Sequence, residues 1–343
     1  MKALAWLCSS ALALLSAAAF AQSSPTTVLD PPRGELRLVV LGDFNGPYGS
    51  LSYPAPLART VEAITGVWQP DLLLSPGDVV AGQSRALKAG DLAAMWQAFD
   101  AAVAAPLREA GIPYAFAPGN HDASSLKAAD GTYLYPLDRA AAEAYWAQEM
   151  YVANLGYLDR QRFPFDFTFS SHGAYVAVID ASSATLSAAQ LAWLAETLAT
   201  PEARGARLRI VVGHLPLAAV GQGRDVPGEV VADAGQLLAL FERNAVDLYV
   251  SGHHAAYYPG RLGGVELLFA GGIGGRRLLG DASDPVSTVS VVDVWFEPLR
   301  FAYSTFDAAR LTPFDAALLP PVLPSGVRLS DRATTTVVEG DVR

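Results

Sequence analysis

Five apolar runs in this chain end in a turn whose glycine is followed at once by a side chain able to bind a metal ion. Leu38–Asp43 reads L-V-V-L-G-D, Leu72–Asp78 reads L-L-L-S-P-G-D, and Ala115–Asp122 reads A-F-A-P-G-N-H-D. Ile210–His214 reads I-V-V-G-H and Leu248–His254 reads L-Y-V-S-G-H-H. Short runs that are apolar throughout fit strands covered on both faces. Further strand-like runs lie at Ala174–Ile179, Val265–Ala270, Val286–Trp295 and Arg300–Phe306, the last two joined around Glu297-Pro298. Segments with helical character lie between the runs: Pro56–Ile64, Asp91–Ala110, Asp138–Val152, Ser187–Leu198 and Asp233–Arg243. Ser187 is a good N-cap, with Gln190 three positions on as in a capping box. Strands alternating with helices predict an α/β layered domain. Ligands of open α/β sheets bind beyond the carboxyl ends of strands, so the five turns are expected to converge on one spot.

The residue types at those turns point to a cation. Four of the five histidines fall in them, His121, His214, His253 and His254, and only His172 lies elsewhere, in a turn-like Ser-Ser-His-Gly. The one cysteine, Cys8, sits in an N-terminal apolar run, which excludes disulfides, thiolate metal sites and cysteine nucleophiles from the rest of the chain. Nitrogen and oxygen must therefore hold any ion, and carboxylates with imidazoles suit Mn, Fe or Zn better than Ca. The formal net charge is −10, which argues against a nucleic-acid or anionic-membrane partner. A phosphorylated substrate would need a local reversal of that field, and bound cations supply one.

The series Gly-Asp, Gly-Asp, Gly-Asn-His-Asp, Gly-His, Gly-His resembles the calcineurin-like metallophosphoesterase superfamily, and within it the purple-acid-phosphatase-like branch. The segment Val178–Leu198 is similar to that branch as well, and the resemblance runs from about Leu36 to Phe306. It implies a four-layer α-β-β-α sandwich of two mixed sheets, with one or two metal ions at one edge. By resemblance Asp78 bridges two metals, Asn120, His214 and His253 complete the second position, and Asp43 belongs to the first. His121 resembles the histidine that contacts the phosphate or protonates the leaving oxygen, with Asp122 orienting it. Three places depart from the pattern: Asn45 and Ala255 stand where the superfamily places histidines, and Ala81 where the purple branch places a tyrosine. Asn45 offers a carbonyl oxygen in place of the first missing ligand, and His254, one step early, is a candidate for the other.

The resemblance implies hydrolysis of phosphate mono- or diesters by metal-bound hydroxide, with a small phosphorylated molecule as substrate. The three departures motivate an alternative, a degenerate relative that binds a metal or phosphorylated ligand without turnover. Lys2, the apolar stretch Leu4–Phe20 and Ala19-Phe20-Ala21 before Gln22 read as a secretory signal over residues 1–21. That pattern predicts a secreted or periplasmic protein with no membrane anchor once the signal is removed. Residues 22–34 read as an exposed leader, 35–311 as the metallophosphoesterase domain, and 312–343 as an extended tail. The glycine-rich stretch 271–275 reads as a tight turn, and Arg276-Arg277 as exposed charge. Tyr48, in the loop beside Asp43, is expected to reach the substrate, and Tyr257-Tyr258 to wall the site. Oligomeric state is not encoded in any of these patterns.

Overall fold

A computed structural model describes residues 28–148, 150 and 155–331. The expected signal sequence, the first part of the leader and the end of the tail lie outside the described residues. In chain order the strands are β1 (Leu36–Val40), β2 (Leu72–Ser75), β3 (Tyr114–Phe116), β4 (Gly156–Arg162), β5 (Asp166–Ser171), β6 (Ala174–Val178) and β7 (Leu208–Val212). There follow β8 (Leu248–Ser251), β9 (Tyr258–Leu262), β10 (Val265–Phe269), β11 (Thr288–Phe296), β12 (Leu299–Asp307), β13 (Thr312–Pro313) and β14 (Arg328–Leu329).

They form two mixed sheets. One runs β13-β12-β11-β1-β2-β3 and the other β14-β9-β10-β8-β7-β6-β5-β4. The five strands that carry the motifs run parallel within each sheet, β1-β2-β3 in the first and β7-β8 in the second, where β6 and β10 flank them in parallel as well. Their carboxyl ends therefore face the same way within each sheet. Alternation along β1 shows how the layers form: Leu38 and Val40 join the core between the sheets, while Val39 joins the core beneath the helices. The helices Pro56–Ala63, Ala89–Phe99 and Pro136–Trp146 cover the outer face of the first sheet. Those at Ala188–Leu198 and Ala234–Arg243 pack on the second with Leu194, Leu198, Leu237 and Phe241. The result is the four-layer α-β-β-α sandwich expected from the sequence. Ser187 does cap its helix, accepting the Gln190 N–H at 3.2 Å.

Several details differ from expectation. The helix expected over 91–110 is interrupted by a wide five-residue turn, Asp100–Ala104, before Pro106, which has no N–H to give the ladder. Strands β4, β5 and β9 carry no clear apolar run. β4 is a largely exposed edge strand, so one polar face costs it nothing. Residues 28–34 are not simply an exposed leader: Trp68 Nε1 donates to Leu29 O at 3.0 Å, and the buried Arg37 donates to Pro31 O at 2.6 Å. Arg37 also pairs with Asp293 at 2.9 Å, which ties this segment to β11. The tail is corrected too. Over residues 312–331 it adds β13 to one sheet and β14 to the other, because Leu319, Leu323 and Val327 bury themselves in the core. Among the described residues no helix is long and apolar enough to cross a membrane.

Candidate metal centre

The turns after β1, β2, β3, β7 and β8 meet at one edge of the two sheets. Three of the residues they carry, Asp43, Asp78 and His253, hold left-handed backbone with φ of 50°, 57° and 65°. Such angles are uncommon for side chains other than glycine, and clusters of them mark sites where geometry is imposed by the surroundings. Two of the flanking glycines are required by contact. A Cβ on Gly252 would collide with the Asp43 carboxylate, and one on Gly119 with the backbone and carboxylate of Asp78.

Four side chains turn a metal-capable atom toward one place. Asn120 Oδ1 lies 2.8 Å from His214 Nε2 and 2.8 Å from His253 Nδ1, and those two nitrogens are 3.2 Å apart. Asp78 Oδ2 is 3.3 Å from His214 Nε2. The outward atoms are all anchored, which fixes the inward ones. His214 Nδ1 donates to Pro76 O at 2.7 Å, and His253 Nε2 to Glu229 Oε2 at 2.8 Å. Asn120 Nδ2 donates to Gln83 Oε1 at 2.7 Å, which turns its oxygen toward the histidines. Oxygen and imidazole donors converging in this way fit a divalent cation of the Mn, Fe or Zn type. Partners behind metal-binding histidines orient the ring and raise its basicity.

Charge reinforces the grouping. Burial opposes ionisation of Asp78, but the charges and hydrogen bonds of His214 and His121 together outweigh it and hold the carboxyl below the usual range. Burial likewise opposes charge on His214, yet Asp78 and Asp43 prevail and lift it to about 9. Burial, followed by the charge of His214, pushes His253 down to about 2, so that ring is neutral and its Nδ1 lone pair is free.

The structure brings Asp43, Asp78, Asn120, His121, His214 and His253 to this edge. Asp43 Oδ1 accepts the His253 N–H at 2.7 Å, while its Oδ2 is buried without a partner. Asn45 lies in the same turn, its N–H on Asp78 O at 3.2 Å. Two expectations need correction. Asp122 does not orient His121. Its two oxygens accept the N–H groups of Asp78, Val79, Val80 and Gly119 at 2.7–2.9 Å, pinning the β2 turn to the β3 turn. The His121 ring instead meets Gly82 O at 3.3 Å and faces Tyr48, ring centres 5.1 Å apart. His254 faces away from the donor cluster around Asn120. Its Nδ1 accepts from Val220 N at 3.2 Å and its Nε2 donates to Glu229 O at 2.9 Å. It lies near Glu229 and His253, but both ring nitrogens hold the 220–229 loop in place.

Other expectations divide in the same manner. Tyr48 is 64% exposed and lines the cavity in front of the centre. Tyr257 and Tyr258 are buried in the core and do not line this cavity. Arg276 and Arg277 are both exposed, as expected, and Arg276 also donates to His254 O at 3.2 Å. The glycine turn at 271–275 crosses Asp43, with Ile273 N donating to Asp43 O at 3.0 Å. Three residues gave no signal in sequence: Gln83, Glu229 and Arg224, the last paired with Glu229 Oε2. Each lies in an irregular loop, where neither spacing nor a flanking strand marks it. Glu229→Ala is expected to weaken metal binding about 10–100-fold, the usual cost of losing a partner behind a ligand. Calorimetric metal titration reads this, and unchanged affinity would remove Glu229 from the centre.

In front of the donors opens a cavity of about 360 Å³, lined by Tyr48, Asp78, Asn120, His121, Arg224 and His253 among others. That is room for a small polar molecule, with imidazole and guanidinium groups around it.

Among solved structures, a purple acid phosphatase from yellow lupin (Lupinus luteus) seeds is similar, with a TM-score of 0.56 and 16% identity. The match covers 82% of this chain and 52% of that enzyme, so the chain spans about half the lupin protein's length. GAP50, the anchor in the inner membrane complex of Plasmodium, is similar with a TM-score of 0.53 and 15% identity, covering 88% of this chain and 90% of that one. At such identities the likeness speaks for the fold. No curated protein matches the chain. The sequence profile described as calcineurin-like phosphoesterase matches residues 36–257. With that match over most of the chain, and with the family's two-sheet sandwich and its histidine- and carboxylate-lined edge in place, the chain belongs to the calcineurin-like phosphoesterase family.

Proposed function

We propose that this protein is an exported, metal-dependent hydrolase of small phosphate mono- or diesters. One observation carries the reading: the donor atoms of Asp78, Asn120, His214 and His253 face one point at the floor of an open cavity. A cation held there acidifies water towards a pKa of about 7 and neutralises charge at phosphorus.

The chain's own residues supply the rest. Arg224 and His121 line the cavity from different loops, where the guanidinium and the imidazole can both donate to a phosphate. His121 is anchored through Nδ1 on Gly82 O, so its Nε2 is the ring atom left to meet the leaving oxygen. Tyr48 packs on the same ring and limits its rotation. Export rests on the N-terminal pattern of Lys2, the apolar stretch and Ala19-Phe20-Ala21.

The test is hydrolysis of aryl phosphate mono- and diesters by the chain after chelator treatment and reloading with Mn, Fe or Zn. Turnover that returns with metal supports the reading. Metal binding without turnover under every loading favours the second reading, a binding protein, which Asn45, Ala81 and Ala255 support. The pH dependence of loading has a definite sign. His214 carries a proton up to about 9 without metal, and a metal must displace it. Apparent affinity should therefore fall about tenfold per unit of acidification below that point. Calorimetric titrations at several pH values check this, and affinity that rises with acid would exclude His214 as a ligand.

A further inference from the structure

We propose that this chain holds a single metal ion per molecule, and that Asp43 is a positioning residue for His253 rather than a metal ligand. The inference rests on the metal-centre reading above, and departs from the two-ion arrangement that the resemblance implies.

The reason is the donor set. Around the point faced by Asn120 Oδ1 there are four inward donors with anchored backs. At Asp43 a single carboxylate oxygen, Oδ2, is left without a hydrogen-bond partner. Among the described residues, the groups of three or more His, Cys, Asp or Glu able to share an ion are Asp78/His214/His253 and Glu229/His253/His254, and Asp43 belongs to neither. The places that would complete a second position hold Asn45, Ala81 and Ala255. Ala81 is buried in the core beneath the helices of the first sheet. Ala255 sits against Gly272, where a Cβ would come within 3.2 Å of its own and 2.8 Å of Asp43 Cβ, so that side is sealed by carbon. His254 is turned outward and spends both nitrogens on the 220–229 loop.

What Asp43 does is visible. Its Oδ1 takes the His253 N–H at 2.7 Å, which sets the left-handed turn at φ 65° that aims His253 Nδ1 at Asn120. Asn performs that task equally well, because its amide oxygen accepts the same N–H and Asn tolerates left-handed backbone.

The experiment is metal counting on the full chain. Chelator-stripped protein is titrated with Mn²⁺ and with Zn²⁺ by calorimetry, and the loaded protein is analysed for metal after gel filtration. One ion per chain is expected, with the electron paramagnetic resonance signal of isolated Mn(II). Two ions per chain, or an exchange-coupled Mn signal, overturn the inference while leaving the phosphoesterase reading intact. No tightly bound ion overturns both. Asp43→Asn is the second arm. It should still bind one ion with affinity within about tenfold of the original, whereas His214→Ala should lose at least about a hundredfold. Loss of binding in Asp43→Asn equal to that in His214→Ala would make Asp43 a ligand after all.

Discussion

Asp78→Asn is expected to remove bound metal and hydrolysis together, with turnover falling by at least about a thousandfold, which corresponds to roughly 4 kcal/mol of lost transition-state stabilisation. Asp78 occupies left-handed backbone at φ 57°, and both carboxylate oxygens are committed. Oδ1 accepts the His121 N–H at 2.9 Å, and Oδ2 faces His214 Nε2 at 3.3 Å. Asn preserves the backbone and can keep the first contact, but it presents an amide N–H₂ to the cation position and removes the negative charge. Asn is a better probe than Ala here, because Ala resists left-handed backbone and would mix strain with chemistry. Metal content and the rate on an aryl phosphate are measured on the same preparation, with the unfolding midpoint in chelator as control. A variant that folds, binds metal normally and still turns over would end the proposed mechanism.

The second large effect belongs to Asp122. Its carboxylate is buried and accepts N–H groups from Asp78, Val79, Val80 and Gly119 at 2.7–2.9 Å. Removing it strands four buried donors. Each such donor costs about 1–3 kcal/mol when left without a partner, and relaxation of the turns recovers part. Asp122→Ala is therefore expected to lose about 4 kcal/mol of stability, read as a lower denaturant midpoint, and to bind metal poorly because Asp78 and Asn120 ride on those turns. The role expected from sequence makes the opposite forecast. If Asp122 served only to orient His121, turnover would drop while stability and metal affinity held. Denaturation and metal titration of one variant separate the two accounts.

Asp122 also marks where sequence reading reached its limit. The motif Gly119-Asn120-His121-Asp122 announced that its side chains matter, and their place after β3 followed from the apolar run before them. Its partners did not follow, since the nearest in sequence apart from Gly119 lie more than forty residues away. His254 is a similar case. Its step in sequence beside His253 suggested a ligand, but consecutive residues in a turn point in different directions, and only the fold shows that His254 faces the 220–229 loop.

The amino-acid order alone determined the alternation of strands and helices, the layered α/β class and the turns that bear the chemistry, because apolar periodicity and glycine placement are local properties, while the four-layer arrangement was what the family resemblance of those turns implied. It determined likewise that nitrogen and oxygen, not sulfur, must bind the ion. Tertiary structure decided the rest: that Glu229 backs His253, that Gln83 orients Asn120, that residues 312–331 complete both sheets, and that Asp43 stands apart from the ligand cluster. Those contacts join loops without repeating pattern across long stretches of chain, and the direction of a side chain in such a loop is set by what packs against it.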